Sequence, residues 1–447
     1  MSNNSIFSFL LFGVIFLPFF AFCILSIYSL FSTKTSERLI AHISRSSFIV
    51  SIGLLLLYFY GQIFLNVEVP KLNVSWFKFE NHHFEATFAT DNLTLFFLTL
   101  TTTIGTLVSV FSETYLHKEK GYLRFYLLIL LATYGMNLIV SANNLGIMVI
   151  GWEFLGIAST LLISFYYERQ SPLKNAFKAF IAYRIADFGF LFAILYGHHA
   201  FQSADVSVIF HTIQGVVLSP EISSSIFIFG SFLLFAALGK SSLLPFYPWL
   251  PRAMEGPTPS SALFYGGFTI HAGTFVMLKC TPIIQASEEL SIVLLILGLF
   301  SALFSTFLGR IRSDIKTKLA YASMTQVSFI YIELGLHWFY FAAIHLAGHM
   351  CLRTYQFLRA PSALHDLHVR ESLGINVREL VHLHDRLISR NTQNWLYRLS
   401  FEEGGLVNLY THYLVEPFMI FCNLLSRFER QTEALIEVWV KKMSRMK

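Results

Sequence analysis

Residues 226–251 read IFIFGSFLLFAALGKSSLLPFYPWLP, an apolar run that meets a lysine, Lys240, and then breaks at Pro245, Pro248 and Pro251. A run of this kind is a membrane-spanning helix. A proline-rich break at bilayer depth is tolerated only where the freed backbone lines a cavity or packs on protein. A second run, GIMVIGWEFLGIASTLLISF at 146–165, carries Glu153 near its middle. An ionisable group at that depth costs about 3 kcal/mol or more unless it pairs or faces an internal cavity. An acid, a base and a broken helix together point to an ion route rather than to passive spanning.

The rest of the chain agrees with that class. Of its 447 residues, 55% are hydrophobic, 16% aromatic and only 13% charged, against about 25% charged in soluble domains. The fold class is therefore an all-α polytopic membrane protein, with the lipid bilayer as its solvent. The net charge of +5 is small and sits in loops, so it sets topology and gives no reason to expect nucleic acid. Apolar runs of spanning length number about eleven. They begin near Ile6, Ser47, Leu93, Tyr122, Leu145, Asn175, Ser223, Ser260, Leu290, Lys318 and Trp338. The first is long enough to span and lacks a small-residue cleavage site, so it reads as a span and not as a removable signal.

Loop charge alternates. KTSERLIAHISR, HKEKGYLR, YYERQSPLKNAFK and GRIRSDIKTK are basic, while the loops between them are poor in Lys and Arg. By the positive-inside rule the N-terminus lies outside and the C-terminus in the cytoplasm. Three regions are expected: spans at 1–90, a conducting core at 91–365 and an amphipathic cytoplasmic tail at 366–447. The segment from Asp366 to Arg398 within that tail is the expected docking surface for a partner. The apolar stretch at 406–425 is interrupted by Glu416-Pro417, with a twelfth span as the alternative.

Three constellations carry candidate chemistry. Lys240 is a compact charge able to lose and regain a proton, and with Glu153 it makes a pair that can form and part. Arg184 and Asp187 lie one turn apart on one face of the sixth span, either as a self-neutralising pair or as modulators of Lys240. His271, and His345 and His349 with Arg353 a further turn along, place imidazoles at bilayer depth, where a neutral ring can both accept and donate a proton. The two histidines four apart lack a third ligand, so zinc is not expected there. Cys23, Cys280, Cys351 and Cys422 are scattered singly, and no cofactor or metal is expected in this chain.

GWEFLGIASTLLISFYYERQSPLKNAFKAFIAYRIADFGFLF (151–192), AALGKSSLLPFYPWLPRAMEGPTPSSAL (236–263) and SDIKTKLAYASMTQVSFIYIELG (313–335) resemble the antiporter-like, proton-conducting membrane subunits of respiratory complex I (subunit L) and of multisubunit Mrp cation/proton antiporters. The resemblance implies inverted five-helix repeats with a broken helix in each. It also implies a Glu153–Lys240 pair and a hydrated axis of Lys and His. The chain departs from the pattern in three places. It turns polar after about His365, which shortens the second repeat; Tyr265 stands where the family has His, with His271 nearby; and Arg353 replaces a lysine in HMCLRTYQFLRAPSALHD (349–366).

These last features are similar to the membrane subunits (DabB) of DAB-type inorganic carbon transporters. That similarity implies a large zinc-containing, carbonic-anhydrase-like (DabA-type) partner on the cytoplasmic side. Flow of H⁺ or Na⁺ would drive hydration of carbon dioxide to bicarbonate across a bacterial inner membrane. The chain itself is then a transporter subunit and not an enzyme. The alternatives are a subunit of a complex-I-like quinone oxidoreductase or hydrogenase, and a cation/proton antiporter component.

Overall fold

In the computed structural model the described residues are 3–32, 36–64, 72–79, 82–89, 91–215, 220–360 and 389–444. They fall into two units, residues 1–380 and 381–447.

The first unit begins with α1 (Asn3–Phe31) and α2 (Glu37–Phe64), packed as a pair, followed by a hairpin of β1 (Leu72–Phe79) and β2 (His82–Phe88). Next come α3 (Asn92–Tyr115), α4 (Tyr122–Ser141), α5 (Leu145–Ile163), α6 (Gln170–Phe201), short α7 (Val206–Gly215) and α8 (Pro220–Ser241). The proline-rich stretch holds α9 (Trp249–Arg252) and α10 (Thr258–Ser261). A π-helical segment, Ala262–Phe268, then leads into α11 (Thr269–Lys279). After α12 (Thr281–Ala286) the unit closes with α13 (Glu288–Arg310), α14 (Ile315–Gly335) and α15 (Phe339–Arg359). Helix starts are set by acceptors that satisfy free N–H groups. Asp91 accepts from Thr94 N at 2.7 Å, Ser287 from Leu290 N at 3.2 Å and Asp314 from Thr317 N at 2.8 Å.

The eleven expected spans correspond to α1–α6, α8, the continuous α10–π–α11 unit, α13, α14 and α15. Among the described residues, nine of these are long and apolar enough to cross a membrane. α14 and α15 fall short because they carry Gln326, Glu333, His345, His349 and Arg353. α2 starts well before Ser47, since its charged first turns are paired: Glu37 with His117 at 2.7 Å and Arg45 with Glu113 at 3.1 Å. The hairpin is an addition that the helical reading omits. Phe88 forms a bridge with Ala142, which ties β2 to the end of α4.

The break after α8 is built as internal packing. Ser242 takes a left-handed φ of 55°, and Leu244–Pro245 is cis. Trp249 Nε1 donates to Gly239 O at 2.9 Å and Ser242 Oγ to Tyr247 O at 3.2 Å, so backbone freed by the prolines finds partners inside the protein. The π segment and α11 are wholly buried. A Cβ at Gly266 would meet the backbone of Thr354 at 2.7 Å, so glycine here lets α15 close on the π segment. At the other end of α11, Lys279 Nζ donates to Val140 O at 3.1 Å and Ala142 O at 2.6 Å. A cation on the carbonyl end of α4 is favourably placed with respect to its dipole.

The second unit contains α16 (Arg390–Phe401), α17 (Leu406–Tyr410), a π-helical turn Thr411–Val415 and α18 (Glu416–Ser444). α18 is amphipathic, with Ile420, Phe421, Leu424, Leu425 and Phe428 exposed, and it is not among the nine membrane candidates. The tail segment expected to dock a partner falls largely in 361–388, outside the described residues.

Candidate ion pathway

The apolar faces of α5, α6 and α8 leave one polar pocket between them. On α6, Arg184 Nη2 contacts Glu153 Oε2 of α5 at 2.5 Å and Asp187 Oδ2 at 2.7 Å. Asp187 Oδ1 also accepts from Trp152 Nε1 at 2.7 Å. One guanidinium nitrogen thus clamps two carboxylates, while Arg184 Nε is left without a hydrogen-bond partner.

Lys240, on the last turn of α8, is completely buried, and its Nζ has no hydrogen-bond partner. It lies 4.0 Å from the ring centre of Tyr183 and 5.4 Å from that of Trp152, a cation–π setting. Gly156 makes the space: a Cβ there would run into Nζ. The expected direct contact between Glu153 and Lys240 is therefore replaced by Glu153–Arg184. The two residues share one electrostatic cluster, but Arg184 holds the acid.

Hydroxyl groups line the ground beyond Lys240. Ser159 Oγ and Tyr183 Oη are 3.1 Å apart, and Ser159 also meets Tyr265. Next to Lys240, Ser241 Oγ lies 3.3 Å from Thr274 Oγ1 and accepts from Tyr331 Oη at 3.2 Å. Thr274 is three residues along α11 from His271.

His271 opens the second polar region. Its Nε2 is 2.7 Å from His349 Nδ1, and Arg353 Nε donates to His349 Nε2 at 3.1 Å. The guanidinium fixes the tautomers. Because Nε2 of His349 accepts, its proton sits on Nδ1 and is donated to His271, which then carries its own proton on Nδ1. Arg353 is buried and also donates to Gln356 Oε1 at 2.7 Å, so it does not reach for the membrane surface. One turn further, His345 and His349 have ring centres 6.3 Å apart. His345 Nδ1 meets Glu333 Oε1 at 2.7 Å and its Nε2 meets Gln326 Oε1 at 3.1 Å.

The structure thus gathers the sequence candidates into two groups: Glu153, Arg184, Asp187 and Lys240 in one, His271, His345, His349 and Arg353 in the other. Pro245, Pro248 and Pro251 shape the break beside the first. Glu333, Gln326 and the aromatic walls Trp152 and Tyr183 are absent from the sequence reading. Glu333 gives a usable signal there, a carboxylate in the last turn of an apolar span. Among the described residues no group of three or more His, Cys, Asp or Glu side chains is arranged to hold a metal.

Comparison with known proteins places this architecture. Residues 142–390 match the family described as NADH:quinone oxidoreductase/Mrp antiporter, transmembrane, and residues 76–126 match the N-terminus of complex I chain 5. The first match covers more than half of the chain, and the protein belongs to this family. It is 32% identical over 343 residues to NADH-ubiquinone oxidoreductase chain 5 of Dictyostelium discoideum, covering 74% of this chain and 51% of that protein. It is 34% identical over 316 residues to NADH-quinone oxidoreductase subunit L of Neisseria meningitidis, covering 68% and 47%. The chain spans about half the length of these curated relatives. Among solved structures, a chain of the Mrp complex from Dietzia sp. DQ12-45-1b superposes with a TM-score of 0.64 at 21% identity, over 84% of this chain and 39% of that one. That likeness concerns the fold. The protein is a multi-pass membrane protein of antiporter-like architecture.

Proposed function

We propose that this chain is an ion-conducting membrane subunit, moving H⁺ (or Na⁺) as part of a larger energy-coupled complex. One observation carries the reading: Lys240 is buried with no hydrogen bond, beside two carboxylates whose direct contacts are taken by Arg184. A buried ammonium without a hydrogen bond is costly even with a carboxylate charge left in its cluster. A lysine that takes up and releases a proton as the neighbouring acids are released from or captured by Arg184 gives that cost a use. The hydroxyls of Ser241, Thr274 and Tyr331 continue toward His271, and the ordered tautomers of His271 and His349 provide a relay. The positive-inside orientation, N-terminus out and C-terminus in, belongs to the same reading.

The finer assignment is a DAB-type inorganic carbon uptake complex in a bacterial inner membrane, with a zinc-containing, carbonic-anhydrase-like cytoplasmic partner. It is supported by Arg353 and the LRTYQFLRAPSALHD stretch. The family match favours a second reading, a subunit of a complex-I-like oxidoreductase. Gentle purification with identification of the co-purifying chains separates the two: a large zinc protein supports the first, quinone-reductase subunits the second. Conduction itself is tested in proteoliposomes containing the intact complex. Lys240→Ala is expected to abolish ion flux with assembly unchanged, and full flux in that variant would refute conduction through this site.

A further inference from the structure

The histidine file ends at a carboxylate that the path described above does not use. Glu333 lies in the last turn of α14 and His345 in the second turn of α15, and their side chains meet at 2.7 Å. Both nitrogens of His345 face oxygens, of Glu333 and of Gln326, an arrangement that a doubly protonated ring satisfies. The second oxygen of Glu333, Oε2, is buried and has no hydrogen-bond partner. Glu333 and His345 both line a groove of about 460 Å³ between α14 and α15, whose other walls are apolar and include Phe329, Leu336, Phe341 and Ile344. His345 is six residues from Phe339, about 9 Å along the helix axis, which puts the groove near the end of the bundle where α14 turns into α15.

We propose that Glu333 and His345 form a proton-exchange station at this end of the histidine file, reached from outside the protein through the α14–α15 groove. The inference rests on the ion-conducting reading above. An acid–imidazole pair is expensive to keep at a lipid-facing flank without a role, and here one oxygen of the acid is left available to a second partner. A proton on His345 passes to Glu333 Oε1 along the existing hydrogen bond, and a small rotation of the carboxyl toward the groove that Glu333 lines hands it on to, or takes it from, the outside. The titratable groups nearest the pair are His349 on the same helix, His271 beyond it on α11 and His337 at the turn, where it bonds Ser291 of α13 at 2.9 Å. No other carboxylate shares the groove.

Dicyclohexylcarbodiimide, a lipophilic reagent that adds to protonated carboxyls, tests this directly on the intact complex in native membranes. The carboxyl oxygen bonds the central carbon of the carbodiimide while the proton moves to nitrogen, and the adduct rearranges to a stable N-acylurea read by peptide mass. Labelling of Glu333 is expected in the native complex, and His345→Gln is expected to change its extent by removing the proton donor at Oε1. In flux assays Glu333→Gln should slow conduction roughly 100-fold, with Glu333→Asp recovering part of it. Absence of label on Glu333 at every pH, or native flux in Glu333→Gln, overturns the station. If Lys240→Ala abolishes flux while Glu333→Gln does not, the station alone falls. If neither matters, the conduction reading falls with it.

Discussion

The two polar regions of the bundle handle charge in opposite ways. Around α5, α6 and α8 the ions are fixed: Arg184 clamps Glu153 and Asp187, and the remaining cation, Lys240, stands against aromatic rings without a hydrogen bond. Around α11, α14 and α15 the groups are imidazoles with assigned donors and acceptors, running from Arg353 through His349 to His271. On the proposed reading, the first arrangement holds a movable charge and the second offers it a directed path. A conducting subunit needs both, because a stored charge has to be discharged along something.

The largest test of this contrast is Lys240. Lys240→Met should reduce flux to background while the complex still assembles, with a modest loss in thermal unfolding midpoint, because the cation removed makes no hydrogen bond but leaves two carboxylates against one guanidinium. A sharp loss of stability with flux retained would reverse the assignment.

Arg184→Met should cost more stability than Lys240→Met, because Arg184 makes both direct contacts to the carboxylates. It strands two carboxylates and is expected to cost about 2–4 kcal/mol, below the figure for a fully buried pair because Arg184 and Glu153 keep partial exposure. Chemical denaturation in detergent reads the difference. In the second region, Arg353→Gln should cripple flux, with Arg353→Lys keeping part of it, since the permanent donor to His349 is what orders the tautomers. Equal flux in Arg353→Gln and the native chain would show that the file needs no fixed direction.

Smaller effects sharpen the comparison. Gly266→Ala pushes against the backbone of Thr354 and should destabilise by about 1–3 kcal/mol, lengthening the His271–His349 contact. Gly156→Ala presses on the buried Nζ of Lys240, the far end of a flexible side chain. It should destabilise by about 1 kcal/mol and lower flux modestly, measurable as a ratio to the native chain in the same vesicles.

Much of this was legible in the sequence, and what escaped did so for identifiable reasons. Apolar length located the spans, including α14 and α15, whose polar residues drop them below a simple hydropathy threshold. The residues of both polar regions were visible as charges and imidazoles in apolar runs. The Arg184–Asp187 pair was legible too, as two residues one turn apart on one helix. The Arg184–Glu153 contact was not, because it comes from α6 crossing beside α5, a tertiary fact with no local signature. Glu333 was hidden by position, since a carboxylate at a helix end reads as interfacial until His345 is seen facing it. The hairpin at 72–88 did carry a local signal, alternating polar and aromatic residues in NVSWFKF, that a search for helices passes over.

Lys279 carries a consequence for motion. By bonding two carbonyls at the end of α4 it welds the terminus of α11 to a neighbouring helix, while the opposite end of α11 runs into the π-helical Ala262–Phe268 segment. π-helical turns depart from the regular α-helical ladder and recur at functional sites. α11 is thus a lever with a fixed fulcrum at Lys279 and a compliant arm at Phe268. A swing of that arm would carry His271 with it and make or break its bond to His349, which would give the proposed relay a mechanical switch in the helix that bears it.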